Sequence, residues 1–146
     1  MNKNFVQKFG GFSRRKLIFE KFAKKKIKNK IEKMAFLREN IFQKIIDKKL
    51  PADVVFESEK ILAFRDIAPK AATHILIVPK KFFRTAREIS EKNLEIFGEL
   101  FLAAKKISEK LKIPDYKLAM NVGENAGQVV PHVHLHFLSP DFQSNL

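Results

Sequence analysis

The sequence predicts an α+β fold: a five-stranded antiparallel sheet with a short N-terminal helix and one long crossing helix. Two observations predict this class. Five short segments rich in apolar and β-branched residues are separated mostly by polar turns, as expected for strands. A single long segment with apolar residues at helical spacing lies between the third and the fourth of them. Because a sheet of this kind must bury one face, we expect the helices to pack on one side of it.

The first half of the domain contains a short helix and three strands. Asn40 is a candidate N-cap for a helix over residues 41–49, whose apolar residues share one face and which Pro51 ends. The first two strands form a hairpin around the polar turn 57–60, and the third strand stops at Pro79. The predicted strands cover residues 54–56, 61–64 and 74–78.

The second half contains the long helix and the last two strands. Ser90 is a candidate N-cap for a helix over residues 90–111. Strands are predicted over residues 116–122 and 132–138, separated by a loop that contains glycine. The helical stripe that we expect to face the core consists of Leu94, Phe97, Phe101, Ala104 and Leu111.

The composition excludes several classes of protein. The chain has no cysteine, which rules out a disulfide scaffold, a cysteine-ligated metal site and a thiol nucleophile. Its apolar stretches, such as residues 75–78, are far shorter than the roughly 20 residues that cross a bilayer, so we expect no transmembrane segment. A single domain of this length can fold without a disulfide or a structural metal.

The net charge of +13 is unevenly distributed and divides the chain into two parts. Residues 1–33 hold 12 Lys and Arg against 2 Glu, whereas residues 34–146 hold 17 Lys and Arg against 14 Asp and Glu. The basic character therefore belongs to an N-terminal extension, and the domain of residues 34–146 is close to balanced. An argument for nucleic acid or an anionic membrane as a partner applies only to the extension.

The extension, residues 1–33, has the pattern of a basic amphipathic helix. Four interpretations remain open: a solvated arm, a cleavable organellar presequence, a helix that makes weak contacts with an anionic surface, and a misassigned start that precedes Met34. We expect a cytoplasmic protein, or an organellar one if the extension is a presequence. The apolar positions of the pattern are Phe5, Phe9, Phe12, Phe19, Phe22, Ile27 and Ile31.

Three of the four histidines stand at alternate positions of the last predicted strand, His132, His134 and His136. Because strand side chains alternate between faces, all three imidazoles should project from one face, roughly 6.6 Å apart. Three interpretations compete: a polar sheet surface, a zinc site, and a phosphate-transfer site with a histidine nucleophile. The neighbouring loop offers a metal site only Glu124 as a supporting carboxylate, whereas a neutral imidazole is a nucleophile near pH 7 without a metal.

The sequence around these histidines resembles the signature of the histidine triad (HIT) family of nucleotide hydrolases and transferases. The stretch Gly127-Gln-Val-Val-Pro-His-Val-His-Leu-His-Phe-Leu138 carries the resemblance. Two upstream stretches, residues 41–46 with 50–52 and residues 62–69 with 73–80, look more like the Hint branch of purine nucleoside phosphoramidases than the Fhit dinucleoside polyphosphate hydrolases. The resemblance covers about residues 38–138 and does not extend to the basic extension.

The resemblance implies a role for each histidine. His134 would be the nucleophile that attacks the α-phosphorus and becomes a nucleotidyl-histidine. His136 would contact the phosphate and the leaving group, while His132 would pair with His74 and fix the tautomer of the site. The resemblance also implies a homodimer without a metal or other cofactor.

The resemblance also implies a nucleotide-binding pocket for a purine nucleotide substrate. Asp66 would bind the ribose hydroxyls. A purine would lie in an apolar cleft, and two amides would hydrogen-bond the phosphate region. The cleft residues would be Ile45, Phe64 and Ile67, and the amides Asn121 and Gln128.

Other interpretations of these residues stay open. Asp66 would serve equally as a turn carboxylate, Asn121 as a turn former, and His74 as a strand histidine satisfied by the backbone, while the three cleft residues could be core. The substrate could also be a dinucleoside polyphosphate or an aminoacyl-adenylate, or the protein could be a nucleotide-binding scaffold with weak turnover.

Two positions depart from the Hint pattern. Val129 stands where Hint proteins usually carry a serine that hydrogen-bonds the leaving atom, and valine cannot donate. The tail, residues 139–146, lacks the tryptophan-containing ending that reaches across a Hint dimer. Both departures concern the leaving group more than the attack at phosphorus.

Overall fold

The computed structural model describes residues 10–38 and 40–141 of the chain, and the side chains of residues 16–31 and 40–141. The chain divides into two units between Leu37 and Arg38. Phe5 and Phe9 of the predicted stripe, the side chain of Phe12, and the tail residues 142–146 lie outside the described part.

A single helix, α1 (Gly10–Arg38), occupies the basic segment. It continues past residue 33, where the change of composition placed the boundary of the extension. Among its described side chains, Phe19, Phe22, Ile27 and Ile31 are exposed, and so are Leu17 and Ile18 outside the predicted stripe.

The second unit contains two helices and five strands, together with two short 3₁₀ helices. The elements in chain order are α2 (Ile41–Ile46), β1 (Val54–Glu57), β2 (Ile61–Arg65), β3 (His74–Pro79), a 3₁₀ helix (Ala86–Glu88), α3 (Leu94–Leu111), β4 (Lys117–Ala119), a 3₁₀ helix (Glu124–Ala126) and β5 (Leu135–Leu138).

The five strands form one sheet in the order β1-β2-β3-β5-β4, and every neighbouring pair is antiparallel. The predicted α+β class and the antiparallel sheet are therefore confirmed. Because β3 and β5 are adjacent, His74 pairs in register with Leu138, and His136 pairs with Leu76. Two distant histidines are thus carried by neighbouring strands.

Both faces of the sheet are covered, which corrects the expectation that the helices lie on one side. Alternate residues of β2 and β3, such as Ile61 and Ile77, pack with Leu100 of α3 on one face. The intervening residues, such as Leu76, pack with Phe42 of α2 on the other face. The two central strands are buried along nearly their whole length, which is why they read as continuous apolar runs.

Helix α3 differs from its prediction in its start and in its buried face. It begins at Leu94 after Asn93, and the Ser90 amide donates to the Asn93 side chain, so Ser90 is not the cap. Because successive residues of a helix are 100° apart, the apolar residues of α3 form two neighbouring stripes, and the stripe through Leu100 is the one that packs on the sheet. Leu94 and Phe101 of the predicted stripe are exposed; the buried residues are Phe97, Leu100, Ala103, Ala104, Ile107 and Ser108.

Three other elements are shorter than predicted. Helix α2 ends at Ile46, since Asp47 caps it and Lys48 takes a positive φ of 58°. The last two strands are regular only over Lys117–Ala119 and Leu135–Leu138, so His132 and His134 precede β5 and only His136 lies within it. None of the helices in the described residues has the length and apolar composition that crossing a membrane requires.

Candidate active site

The four histidines gather on the sheet face that α2 covers. His74 comes from β3, His136 from β5, and His132 and His134 from the extended segment just before β5. The intervening Val133, Leu135 and Phe137 belong to the opposite core, so the predicted alternation holds even where the segment is not a regular strand. All four imidazoles are buried, His132 completely.

His134 holds a single tautomer through a backbone contact. Its Nδ1 lies 2.7 Å from the carbonyl oxygen of His132. A carbonyl only accepts, so the proton of the neutral ring sits on Nδ1 and the lone pair sits on Nε2. Nε2 makes no hydrogen bond within the described residues and is therefore available for attack on an electrophile.

His136, rather than His132, is the partner of His74, which corrects the expected pairing. The backbone amide of Lys70 donates to Nδ1 of His74 over 3.1 Å, so the neutral His74 ring carries its proton on Nε2. That Nε2 lies 2.9 Å from Nδ1 of His136 and donates to it. His136 must then carry its own proton on Nε2, which is buried and has no partner within the described part of the chain.

His132 is anchored away from this pair. Its Nε2 donates to the carbonyl oxygen of Pro79 at the end of β3 over 2.8 Å. Its Nδ1 lies 2.9 Å from the side-chain oxygen of Asn40, which also caps α2 by accepting from the Gln43 amide. Because the single proton of the neutral ring is on Nε2, this approach is a close contact and not a second donated hydrogen bond. The completely buried His132 ring therefore joins helix α2, strand β3 and the triad segment.

Asp66 lies beside the histidine pair and also stabilises a turn. One carboxylate oxygen accepts from the Ala68 amide over 2.9 Å, as in the turn interpretation, and the other lies 3.5 Å from Nε2 of His74. A carboxylate offers about four acceptor positions, so both contacts leave room for ribose hydroxyls.

Burial keeps the site histidines neutral. It lowers the pKa of His74, His132 and His134 below the usual value of 6.5. For His136, burial together with the neighbouring His134 and His74 lowers the pKa to about 3. At pH 7 all four rings are therefore uncharged, as a histidine nucleophile requires.

We expect the free energy of unfolding to fall as the pH is lowered from 7 to 5. The unfolded chain takes up a proton on His136 below about pH 6.5, whereas the folded chain resists it down to about pH 3. The stabilisation is present above the unfolded pKa and is lost as the pH falls, at a cost of about 2 kcal/mol from His136 alone at pH 5. The other three histidines act in the same direction.

Urea unfolding at pH 7 and pH 5 measures this loss. His136→Gln is the matched variant, because the amide stays polar but does not titrate. Its loss between the two pH values should be smaller than that of the wild type by about 2 kcal/mol. Equal losses in the two proteins would contradict the assignment.

The expected cleft residues differ in their exposure. Phe64 is buried against Phe42, with ring centroids 5.5 Å apart, and Ile45 is partly buried in the same cluster. Ile67 is 96% exposed beside Asp66, which excludes the core interpretation for it. Phe64 and Ile45 therefore form a buried apolar surface next to the histidines, and Ile67 adds an exposed apolar side chain beside it.

The two amides have different roles. Asn121 donates to the Gly127 carbonyl oxygen over 3.3 Å, and its own carbonyl oxygen accepts no hydrogen bond within the described residues. Gln128 is buried and fully engaged: its oxygen accepts from the Gly123 amide, and its nitrogen donates to the carbonyl oxygens of Arg84 and Val130. Since both Gln128 protons are used, we assign it to holding the loop, which corrects its expected contact with phosphate.

Two aromatic residues of the site have no functional signature in the sequence. Phe42 lies edge-on to His134 with ring centroids 5.1 Å apart, and Phe82 lies edge-on to His132 at 5.5 Å. In the sequence, Phe42 shows only the spacing of an apolar helix face, and Phe82 belongs to no pattern. Asn40 has the sequence signature of a helix cap, but its contact with His132 depends on the tertiary fold.

One group of side chains could hold a metal ion. Among the described residues, Asp66, His74 and His136 each offer a ligand atom, and these atoms lie within 4.8 Å of one another. The His74 and His136 nitrogens already share a hydrogen bond. A metal would have to replace that bond, so the donor set fits a hydrogen-bonded relay better than a preformed metal site.

Comparison with known proteins places this site in a family. Residues 39–146 match the family model described as "Scavenger mRNA decapping enzyme C-term binding". The purine nucleoside phosphoramidase of Escherichia coli K12 is 40% identical over 102 residues, which are 68% of this chain and 86% of the relative. The chain belongs to the HIT family.

Solved HIT structures support the same assignment. The HIT family hydrolase of Legionella pneumophila Philadelphia 1 is 42% identical, with 68% of this chain and 91% of that chain covered and a TM-score of 0.65. The HIT family hydrolase of Clostridium thermocellum is 38% identical, with coverages of 73% and 96% and a TM-score of 0.68. The chain is a Hint-like HIT protein, as its motifs predicted.

Proposed function

We propose that this HIT protein is a nucleotide hydrolase that cleaves nucleoside 5′-phosphoramidates through a covalent intermediate on His134. One observation carries the proposal: Nδ1 of His134 lies 2.7 Å from the His132 carbonyl oxygen, which can only accept, so the neutral ring keeps its proton on Nδ1 and its lone pair on Nε2. The similarity to HIT hydrolases, including the purine nucleoside phosphoramidase of E. coli, supports hydrolysis of a nucleotide.

In the first step Nε2 of His134 attacks the α-phosphorus, the P–N bond breaks, and the leaving nitrogen departs as an amine after taking up one proton from water. The nucleotidyl-imidazole that forms is cationic, and its proton stays on Nδ1, which donates it to the His132 carbonyl oxygen, whose dipole stabilises that charge. In the second step water attacks phosphorus and the P–Nε2 bond breaks, which gives the nucleoside monophosphate and neutral His134, and water returns one proton to the solvent.

His136 is positioned to donate during the attack. The chain from the Lys70 amide through His74 fixes its proton on Nε2, where a phosphoryl oxygen or the leaving nitrogen would satisfy it. A buried donor without a partner is costly in the free protein, and an oxygen that gains negative charge relieves that cost.

We place the nucleoside against the apolar cluster of α2 and β2. The purine would contact Ile45 and Ile67 above the buried ring of Phe64, and Asp66 would accept from the ribose hydroxyls. The amide of Asn121 remains available to the phosphate region.

We expect Asp66→Ala to raise KM more for ribonucleoside than for 2′-deoxyribonucleoside phosphoramidates, by about tenfold, because only the former presents both hydroxyls. Steady-state kinetics on the matched substrates measure the ratio. Asp66→Asn is the control, because it keeps the acceptor of the Ala68 amide while losing the charge. If Asp66→Ala affects both substrates equally, Asp66 acts only in its turn.

The function is tested with a panel of AMP conjugates and intact mass spectrometry. An AMP adduct at short times and turnover of the phosphoramidate would support the proposal. Faster turnover of a dinucleoside polyphosphate or an aminoacyl-adenylate would change the substrate but keep the nucleophile. Nucleotide binding without any turnover would favour a scaffold protein and contradict the proposal.

We further propose a homodimer formed through the outer face of α3. On this helix, the side chains of Leu94, Phe101 and Leu102 are 58%, 55% and 44% exposed. The short strand β4 forms one edge of the sheet. Apolar side chains at this spacing are typical of a surface that another chain covers. Sedimentation equilibrium measures the oligomeric state, and the proposal predicts a dimer for the wild type and a monomer for Phe101→Glu.

For the basic extension we propose a weak contact with an anionic surface and independence from the HIT domain. Helix α1 exposes Phe19, Phe22 and several lysines over its described side chains. The two buried clusters of the second unit consist, within the described side chains, of residues from 41 onwards, which supports folding of the domain by itself.

A further inference from the structure

A cavity of about 290 Å³ opens beside the triad segment. Its walls come from two places: the segment around the first 3₁₀ helix, and the loop that leads into His132. The lining residues that matter here are Arg84, Arg87, Gly123, Glu124, Val129 and Pro131.

The cavity carries two arginines whose charges are uncompensated by direct contacts. Within the described residues, the guanidinium groups of Arg84 and Arg87 make no ion pair, and the structure shows no side-chain hydrogen bond from either. Glu124 is the single acidic side chain in the lining. The wall therefore has an excess of positive charge and unused donors.

The Arg87 guanidinium lies against the loop at Gly123. A Cβ atom placed on Gly123 would lie 2.8 Å from a terminal guanidinium nitrogen of Arg87, and Gly123 has a φ of 93°. The positive φ favours glycine at this position, and without a Cβ atom the guanidinium can approach the Gly123 backbone. The guanidinium thus lies directly over the Gly123 backbone.

Gln128 ties the cavity to the catalytic segment. Its side chain joins the Gly123 amide, the Arg84 carbonyl oxygen and the Val130 carbonyl oxygen in one buried set of hydrogen bonds. Pro131, which lines the cavity, directly precedes His132. The backbone at Arg84 is therefore fixed relative to the segment that carries the proposed nucleophile.

We propose that this cavity is a subsite for a leaving group that carries an oxyanion, a carboxylate or a phosphate, on a short aliphatic amine. The inference rests on the proposed function, because the leaving nitrogen must be held near His134. Two guanidinium groups offer forked donors that match either oxyanion. Val129 is 69% exposed in the cavity wall and offers an apolar surface for the aliphatic part.

Matched pairs of AMP phosphoramidates test the subsite. One pair is built on β-alanine and its uncharged amide, and the other on phosphoethanolamine and ethanolamine. We expect the wild type to favour the charged member of at least one pair by about tenfold or more in kcat/KM. The double variant Arg84→Gln/Arg87→Gln should bring that ratio close to one. Lys112→Gln, which removes an exposed cation that does not line the cavity, should keep the wild-type ratio.

Binding measurements separate the two proposals. The dissociation constants of the same pairs are measured by calorimetry on His134→Ala, with and without the arginine substitutions. If the wild type shows no turnover but binding still depends on charge and on the arginines, the proposed reaction fails and the subsite stands. If turnover is present but neither ratio depends on the arginines, the subsite is wrong. If the arginines affect only one of the two pairs, that pair shows whether the subsite binds a carboxylate or a phosphate.

Discussion

His134→Ala should lower kcat/KM for an AMP phosphoramidate by about 10³-fold or more, as expected when a covalent nucleophile is removed. Nucleotide affinity should change much less, since we assign binding to Asp66 and to the apolar cluster around Phe64. The variant also loses the ring contact with Phe42, so its melting temperature should be compared with that of the wild type.

The adduct distinguishes a nucleophile from a residue that only supports the fold. Wild-type protein mixed with substrate should gain one AMP at short times, and peptide mapping should place it on His134. His134→Asn is the matched control, because it keeps a polar side chain that can donate to the His132 carbonyl oxygen. An adduct on either variant, or turnover near the wild-type rate, would show that the covalent bond forms elsewhere.

Sequence alone predicted the sheet and the gathering of the histidines because both depend on local patterns. Apolar runs bounded by turns mark strands, and alternation places His132, His134 and His136 on one side whether or not the segment is a regular strand. The same alternation does not identify hydrogen-bond partners. The pairing of His74 with His136 follows from β3 lying beside β5, which is a property of strand order.

The misplaced features share a tertiary cause. Helix α3 has apolar residues on more than one stripe, and only its packing on the sheet decides that Leu100 is buried and Phe101 exposed. Similarly, the continuous apolar runs of β2 and β3 indicate that both faces of the sheet are buried, but they do not predict which helix packs on which face. Helical spacing predicts that a face is apolar, and contact with the sheet decides which apolar face is used.

The arginine cavity is beyond what a motif can predict. Arg84 lies just before the first 3₁₀ helix and Arg87 lies within it, far in sequence from Gly123 and Gln128, and neither stands in a recognisable pattern. The backbone of Arg84 is held to the Gly123 loop by the buried Gln128 side chain, for which the family resemblance implied phosphate binding instead. A fully hydrogen-bonded amide and a free one are identical in sequence and differ only in their partners.

His136→Ala should lower kcat by about 100-fold, because it removes a buried donor. The hydrogen bond from His74 fixes the proton of this donor on Nε2 of His136. The physical reason is the pKa of about 3, which keeps His136 neutral, so that its Nε2 proton acts through a hydrogen bond rather than through a charge. His136→Gln, whose amide can still donate, should recover part of the loss. An equal loss in both variants would mean that donation at this position does not contribute.

The dependence on the leaving group decides which atom receives that hydrogen bond. If Nε2 of His136 donates to a non-bridging phosphoryl oxygen, His136→Ala should slow substrates with good and poor leaving groups by the same factor. If it donates to the leaving nitrogen, poor leaving groups should suffer more, since they need the proton most in the transition state. Burst kinetics on a series of aryl and alkyl amine conjugates measure the first step alone. His74→Ala keeps the His136 ring but no longer fixes its proton on Nε2, so it should show the same dependence on the leaving group in weaker form. Wild-type rates in His74→Ala would contradict the proposed role of His74 in orienting His136.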